Sequence, residues 1–211
     1  VDYSSGNMDA VNKAVELLKD GTFWLSKTPD EPGSKYPGAG CPRTCTWALL
    51  KDRVTGKTFR YFNTHLDHIS SKARWDGMQV LLNRGVRPAK ARGETVFLTG
   101  DLNETLDKAD TAESLARLDK TALPALAKDN PIALAATELV DTMTVSESPH
   151  QGPFRTYHGY KGEPSMRIDY IFATKDVRVL GHATIADRPD GKFASDHYPV
   201  AATVLLGAKA L

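Results

Sequence analysis

TVFLTGDLN, residues Thr95 to Asn103, reads as a short apolar strand running into a polar turn. Thr95 to Leu98 supplies β-branched and aromatic residues over a strand's typical length, and Gly100 ends the run. Beyond it stand a carboxylate and an amide, Asp101 and Asn103. An aspartate after a strand is ordinarily a cap or an Asx-turn. The flanking chain therefore decides what this one is.

Upstream, Thr46 to Leu50 and Thr58 to Asn63 read as strands joined by the turn Asp52-Arg53-Val54-Thr55-Gly56. In the second strand Phe59, Tyr61 and Asn63 alternate with Arg60, Phe62 and Thr64, the period of two that marks a half-buried strand. It leaves into Asn63-Thr64-His65-Leu66-Asp67-His68. Ser70 or Ser71 caps a helix whose face carries Trp75, Met78, Leu81 and Leu82. Lys27 to Pro42 is rich in proline and glycine and predicts a loop, with Trp24 before it at a pocket mouth or in the core. Asp9 to Lys19 places Ala10, Val11, Ala14, Val15 and Leu18 on one helical face, stopped by Asp20-Gly21, and Thr22 to Leu25 follows as a short strand. Downstream, helical stretches are expected from Thr111 to about Lys128, interrupted by Pro124, and again from Asn130-Pro131. Arg167 to Phe172, Val177 to Leu180 and Tyr198 to Leu205 complete the strands. Hairpins and helix crossovers together predict an α/β (α+β) architecture, a mixed sheet covered by helices, in a single domain over 1–211.

Composition narrows the function classes. The 27 basic and 26 acidic residues leave a formal net charge of +1, so no broad basic surface calls for nucleic acid. No apolar run reaches the roughly 18 to 20 residues that cross a bilayer. Secreted and cytoplasmic settings both stay open. Cys41 and Cys45 are expected as free thiols, since two cysteines make no disulfide framework.

Four polar clusters stand at strand ends: Asn63 to His68, Gly100 to Asn103, Arg167 to Phe172 with Asp169 inside an apolar strand, and Ser195 to Val200 with Asp196-His197. A carboxylate between Ile168 and Tyr170 needs a dedicated partner, and His197 is the obvious candidate. Together the clusters suggest one shared cleft.

The strings FNTHLDH (62–68), FLTGDLNET (97–105), RIDYIFAT (167–174) and ASDHYPV (194–200) resemble, in order and spacing, the endonuclease/exonuclease/phosphatase superfamily of DNase I-like proteins. The resemblance runs from about residue 21 to 211, and TFWLSKTPDEPG (22–33) looks like a subgroup of undefined substrate. It implies a layered β-sandwich with flanking helices and a metal-dependent phosphoesterase using Mg²⁺ or Mn²⁺. It further implies catalytic roles for His65, Asp101, Asn103, Asp169 and His197, with Asp196 and Asp101 holding metal. Asn63, Tyr157 and His158 would stand on the substrate side. Nucleic acid, nucleotide, lipid headgroup and sugar phosphate all suit such a core. The strand-end glutamate that binds metal in that superfamily has no counterpart before Thr22, because Glu16 falls in a helical pattern. The resemblance thus implies a domain lacking its N-terminal strands, with that segment as a partner. Its alternative is a noncatalytic phosphate-binding remnant.

Overall fold

The computed structural model describes residues 14–106 and 123–206. Eight strands and four α-helices follow in the order β1 (Val15–Trp24), β2 (Thr44–Asp52), β3 (Thr58–Thr64), α1 (Ser71–Leu81), α2 (Arg87–Ala91), β4 (Thr95–Asp101), α3 (Leu123–Leu126), α4 (Pro131–Ala136), β5 (Val140–Asp141), β6 (Asp169–Ala173), β7 (Arg178–Thr184) and β8 (Val200–Leu205). Six strands form one mixed sheet in the order β1-β2-β3-β4-β6-β5, and β7 pairs with β8 in a second. Only β3 and β4 run parallel in the large sheet, because α1 and α2 carry the chain back between them.

The alternation in β3, β4 and β6 separates two cores. Phe62, Val96, Leu98, Tyr170 and Phe172 face the helices and join Met78, Leu81, Leu82, Ile132 and Leu139 in the larger cluster. Phe97 and Ala173 face the other way and pack with Val177 and Val179, with Phe59, Tyr61 and Val204 at the margin. The large sheet therefore has helices on one face and the β7–β8 pair on the other, the layered mixed arrangement anticipated above.

The Ser70 hydroxyl caps α1 by accepting from the Ala73 backbone N–H at 3.1 Å. Asn130 caps α4 by accepting from Ile132 and Ala133 at 2.8 and 3.0 Å, ahead of Pro131 at the first helical position. Residues 111–122 of the helical stretch expected from Thr111 to about Lys128 lie outside the described residues; at its end Leu123–Leu126 form α3, with Pro124 its second residue.

The helix expected over Asp9 to Lys19 is corrected where it is described. Residues 15–19 belong to β1, which pairs with β2 from Val15 opposite Asp52 to Trp24 opposite Thr44. Residues 9–13 lie outside the described residues. A register irregularity between Leu17 and Lys19 breaks the alternation, so Leu17 and Leu18 are both exposed and the sequence loses its strand period. Ladder pairing outweighs local helical propensity here. Glu16 stands opposite Lys51, near Arg53 at 4.0 Å, at the end of the sheet away from the polar clusters. Cys41 and Cys45 are free, and burial pushes the Cys45 thiol well above its usual range.

Two buried polar groups fasten β5, β6 and β7. Arg167, 1% exposed, makes a two-pronged ion pair with Asp141 at 2.7 and 2.9 Å and lies over the Tyr170 ring at 4.2 Å. His182 shares its Nδ1 with His150 Nδ1 at 3.0 Å, while His150 Nε2 lies 3.1 Å from the Pro153 carbonyl. That carbonyl requires a proton on His150 Nε2, so His182 Nδ1–H is the donor in the neutral pair. Burial pulls the His182 imidazole down to about 4.

Two stability measurements follow. Replacing Arg167 with Met strands Asp141 without its cation and should cost about 3 to 5 kcal/mol in urea unfolding. Because the His182 pKa is lower folded than unfolded, its contribution is complete above pH 6.5 and disappears as pH falls toward 4. It amounts to about 3 kcal/mol. His182→Gln should flatten that acid limb by close to one proton; an unaltered slope would exclude this histidine as its source.

Candidate active site

The sheet register brings the four clusters together. Asn63 is opposite Thr99 across β3 and β4, and Asp101 is opposite Asp169 across β4 and β6. By the same alternation that places Phe97 and Ala173 between the sheets, these four side chains belong to the inter-sheet face. There they open onto a cleft of about 500 Å³ lined by Asn63, His65, Asp101, Asp169, Asp196 and His197, with Tyr61, Thr99 and Pro199 among its walls.

Gly100 lets the exits of β3 and β4 converge. Its φ of 143° and its packing admit no side chain: a Cβ there would fall 1.7 Å from the Thr64 carbonyl oxygen. The close approach allows the Leu66 N–H to donate to the Asp101 carbonyl at 2.9 Å. Asn103, at φ 48°, closes an Asx-turn in which its N–H donates to Asp101 Oδ1 at 2.8 Å. Its amide Nδ2 donates to the Leu66 carbonyl at 3.0 Å. So Asp101 is a turn residue and a cleft residue at once, and the two readings do not compete.

Two carboxylates opposed across a ladder repel each other unless a donor intervenes. His197 supplies it. Its Nδ1 is 2.8 Å from Asp169 Oδ2 and its Nε2 is 3.9 Å from Asp101 Oδ2. Burial alone would lower the His197 pKa, but the bond to Asp169 and the charges of Asp169, Asp101 and Asp196 outweigh it and hold the ring above its ordinary value. His65 approaches Asp101 from the other side, Nε2 to Oδ2 at 3.2 Å. The His65 side chain is 46% exposed against 14% for His197, so His65 faces arriving solute while His197 is sheltered.

Asp196 is held by its backbone, its carbonyl accepting from the His158 and Gly159 N–H groups at 2.9 and 3.0 Å. Among the described residues its carboxylate has only a long contact from the Ser195 hydroxyl, 3.4 Å, which leaves lone pairs for another partner. Asn63 donates to Thr99 Oγ1 at 2.8 Å, and Thr99 donates to the Tyr61 hydroxyl at 3.0 Å, a brace along the cleft wall.

Three residues of the expected site, Asn103, Tyr157 and His158, are not among those that line the cleft. Asn103 supports the Asp101 turn. Tyr157 packs its ring against His197, centroids 5.1 Å apart. His158 is 2% exposed, stacked between Phe193 and Tyr198 at 4.5 and 4.2 Å, with burial lowering its pKa and neither ring nitrogen hydrogen-bonded among the described residues. Sequence reasoning missed Thr156, whose hydroxyl accepts from the Ile168 and Asp169 N–H groups at 3.2 and 3.3 Å and sets the entry to β6. A threonine in a loop carries no signal that would single it out. It also missed Thr99 and Tyr61, which as alternating strand residues look like plain core.

Outside the cleft, Cys41, Asp67 and His68 place possible ligand atoms within 4.8 Å of one another. Asp67, however, accepts from the Gly40, Ile69 and Ser70 N–H groups at 2.8, 3.0 and 2.8 Å, and Arg43 donates to His68 Nδ1 at 3.0 Å. Both carboxylate oxygens are occupied by a loop-and-cap role beside a cation, which does not suit a metal.

The profile of the Endonuclease/Exonuclease/phosphatase family matches residues 17–197. Among solved structures, a conserved protein of Enterococcus faecalis is 30% identical, with 92% of this chain and 68% of that one covered at a TM-score of 0.74. An endonuclease/exonuclease/phosphatase from Bacteroides vulgatus is 29% identical over 92% and 67% of the two chains, TM-score 0.72. A mannosyl-6-phosphatase of Bacteroides thetaiotaomicron, 24% identical over 92% and 68%, has the same fold at a TM-score of 0.72. A comparison with curated proteins finds no match.

Gly100→Ala should lower stability by about 2 to 4 kcal/mol, since backbone must move to admit the methyl group. Asp101→Ala, in the same turn but without that clash, should cost far less in the same denaturation. Equal losses would remove the close approach as the reason for glycine.

Proposed function

This chain belongs to the endonuclease/exonuclease/phosphatase family, and we propose that it hydrolyses phosphate esters in the Asp101–His197 cleft by direct attack of water, without a covalent enzyme intermediate. The observation that carries the reading is the line Asp169–His197–Asp101, with His65 on the far side of Asp101, opening onto one cavity. A phosphate ester resists hydrolysis because its anionic oxygens repel the nucleophile and the leaving alkoxide is poor. The site answers both difficulties.

Asp101, its Oδ1 fixed by the Asn103 N–H, aligns the attacking water and takes its proton as the new P–O bond forms. His197, its Nδ1–H held by Asp169, presents Nε2–H to a phosphate oxygen. Tyr157 keeps that ring in place by edge packing. His65, the more exposed imidazole, gives its proton to the leaving oxygen as the ester bond breaks. Asn63, braced through Thr99, lines the wall against which the phosphate lies.

The cleft's donor set fits a hard divalent cation: the carboxylates of Asp196 and Asp101 are oxygen ligands, and that of Asp196 has unused lone pairs. These two residues would hold Mg²⁺ or Mn²⁺, which when bound supplies charge neutralisation at the phosphoryl group. No glutamate lines the cleft among the described residues. A cavity of about 500 Å³ and a near-neutral chain favour a small ester over a nucleic acid duplex. The B. thetaiotaomicron structure bears the name of a sugar phosphatase, and sugar phosphates belong in the first substrate panel beside nucleotides and phosphorylated lipid headgroups.

Hydrolysis of 4-nitrophenyl phosphate and its bis-ester should require Mg²⁺ or Mn²⁺ and stop on adding EDTA. Asp101→Ala and His197→Ala should each lower kcat by roughly 100-fold or more with the fold intact by circular dichroism. Turnover near the parent value in both variants would refute the assignment, and binding of phosphate esters without turnover under any cation would favour a recognition domain.

A further inference from the structure

The carboxylates and imidazoles occupy only part of the cleft, and strand register shows what lies beyond them. Asp101 and Asp169 form the cross-strand row at the end of the sheet. The next row inward on the same face is Asn63–Thr99–Ile171, and the one after it is Tyr61–Phe97–Ala173. The inter-sheet face therefore passes from charged to mixed to apolar in two steps of the strand period. Phe97 and Ala173 are buried, but Tyr61 and Ile171 are only partly covered and line the cleft. Pro199 and Val200 line it from the approach to β8, Pro199 exposed and Val200 half-buried. Burial pushes the Tyr61 hydroxyl above its usual range, as an apolar setting requires.

The charge inventory of the lining is one-sided. It holds three carboxylates and two imidazoles, and no lysine or arginine lines the cleft among the described residues. Lys19, Arg60, Arg84 and Arg92 instead rim a separate cavity on the helix-covered face, where Glu94 and Asp30 already engage the arginines. A second anionic group on a substrate would thus enter the cleft against carboxylates and apolar wall, with no fixed cation to offset its desolvation. A single phosphate group fills only a small part of the cavity of about 500 Å³. β3 and its exit carry Tyr61, Asn63 and His65 at alternate positions, all three lining the cleft. An ester oxygen that leaves beside His65 therefore has its organic group directed along Asn63 toward Tyr61.

We propose that the cleft selects phosphate esters whose organic group is uncharged and largely apolar, with Tyr61, Ile171 and Val200 as the residues that make the selection. This rests on the reading of the cleft as a phosphoesterase site. The phosphate stays at the carboxylate–imidazole end, and the organic group runs between the two sheets onto the apolar wall. Bisphosphates, nucleoside polyphosphates and nucleic acids are disfavoured by the same arrangement, because each brings further negative charge into a lining without lysine or arginine.

The test is calorimetric titration of methylphosphonate, hexylphosphonate and 6-phosphonohexanoate in the presence of Mg²⁺, since the P–C bond of these probes is not an ester that the cleft could hydrolyse. Hexylphosphonate should bind at least about tenfold more tightly than methylphosphonate, a gain that burying about two methylenes supplies. The terminal carboxylate of 6-phosphonohexanoate should cancel that gain. Val200→Trp, which fills the apolar end, should reduce the hexyl-over-methyl preference by at least about fivefold with an unchanged circular dichroism spectrum. Equal affinity for the methyl and hexyl probes, or 6-phosphonohexanoate binding as tightly as hexylphosphonate, overturns the proposal and returns Tyr61, Ile171 and Val200 to ordinary packing between sheets. A folded Val200→Trp protein that keeps the full preference overturns it too, and if that variant does not fold, the three probes on the parent chain decide. Turnover of methyl and hexyl phosphate, whose leaving alkoxides are matched, is measured alongside. Hydrolysis of neither ester under any cation, with hexylphosphonate still preferred, would refute the phosphoesterase reading and leave the selection standing.

Discussion

Two carboxylates that face each other across neighbouring antiparallel strands are the constraint around which this structure is arranged. Asp101 and Asp169 occupy one register position at the open end of the large sheet. Left alone they would repel, and partial burial would strengthen the repulsion. The imidazole of His197 is bonded to one and faces the other, so the end of the sheet is tolerable only when β8's approach is in place to deliver it. The second sheet is therefore more than a cover for Phe97 and Ala173. It carries the imidazole that stands between the two carboxylates.

The surroundings serve the same arrangement. Gly100 lets β3 and β4 leave the sheet almost in contact, which puts His65 beside Asp101. Thr156 sets the entry of Asp169 into β6 and also accepts Tyr198 into its backbone network, tying the strand that bears Asp169 to the loop that bears His197. Behind these, the Arg74 guanidinium binds Glu104 at 2.8 and 3.0 Å and the Asp67 carbonyl at 3.1 Å, locking the exit loops of β3 and β4 to α1. The buried Arg167–Asp141 pair does the same for β5 and β6. Polar groups this deep are worth keeping where they fix geometry, even when their net contribution to stability is small.

The electrostatic design of the two cavities is opposite in sign. The cleft gathers Asp101, Asp169 and Asp196 around the imidazoles of His65 and His197. The helix-side cavity is rimmed by Lys19, Arg60, Arg84 and Arg92, with Glu94 accepting from Arg60 and Arg92 and Asp30 pairing with Arg84. One sheet separates them.

The period of two in Phe59 to Asn63, the apolar run into Gly100-Asp101, and an aspartate caught between Ile168 and Tyr170 are local patterns, and each survives into the structure because strand alternation needs only neighbours in sequence. Those patterns sufficed to name the mixed sheet, a helix capped at Ser70 or Ser71, and Asn63, His65, Asp101, Asp169, Asp196 and His197 as occupants of one cleft. What sequence alone misjudged was β1, where a register irregularity scrambled the alternation and only pairing with β2 reveals the strand. What it had no means to decide was depth and partnership. Register across β4 and β6 set Asp101 against Asp169, the stacking of Phe193 and Tyr198 hid His158, and the meeting of three strands with a helical segment made the arginine-rimmed cavity. Such relations join residues distant in the chain, and a sequence records which groups are present without recording which of them meet.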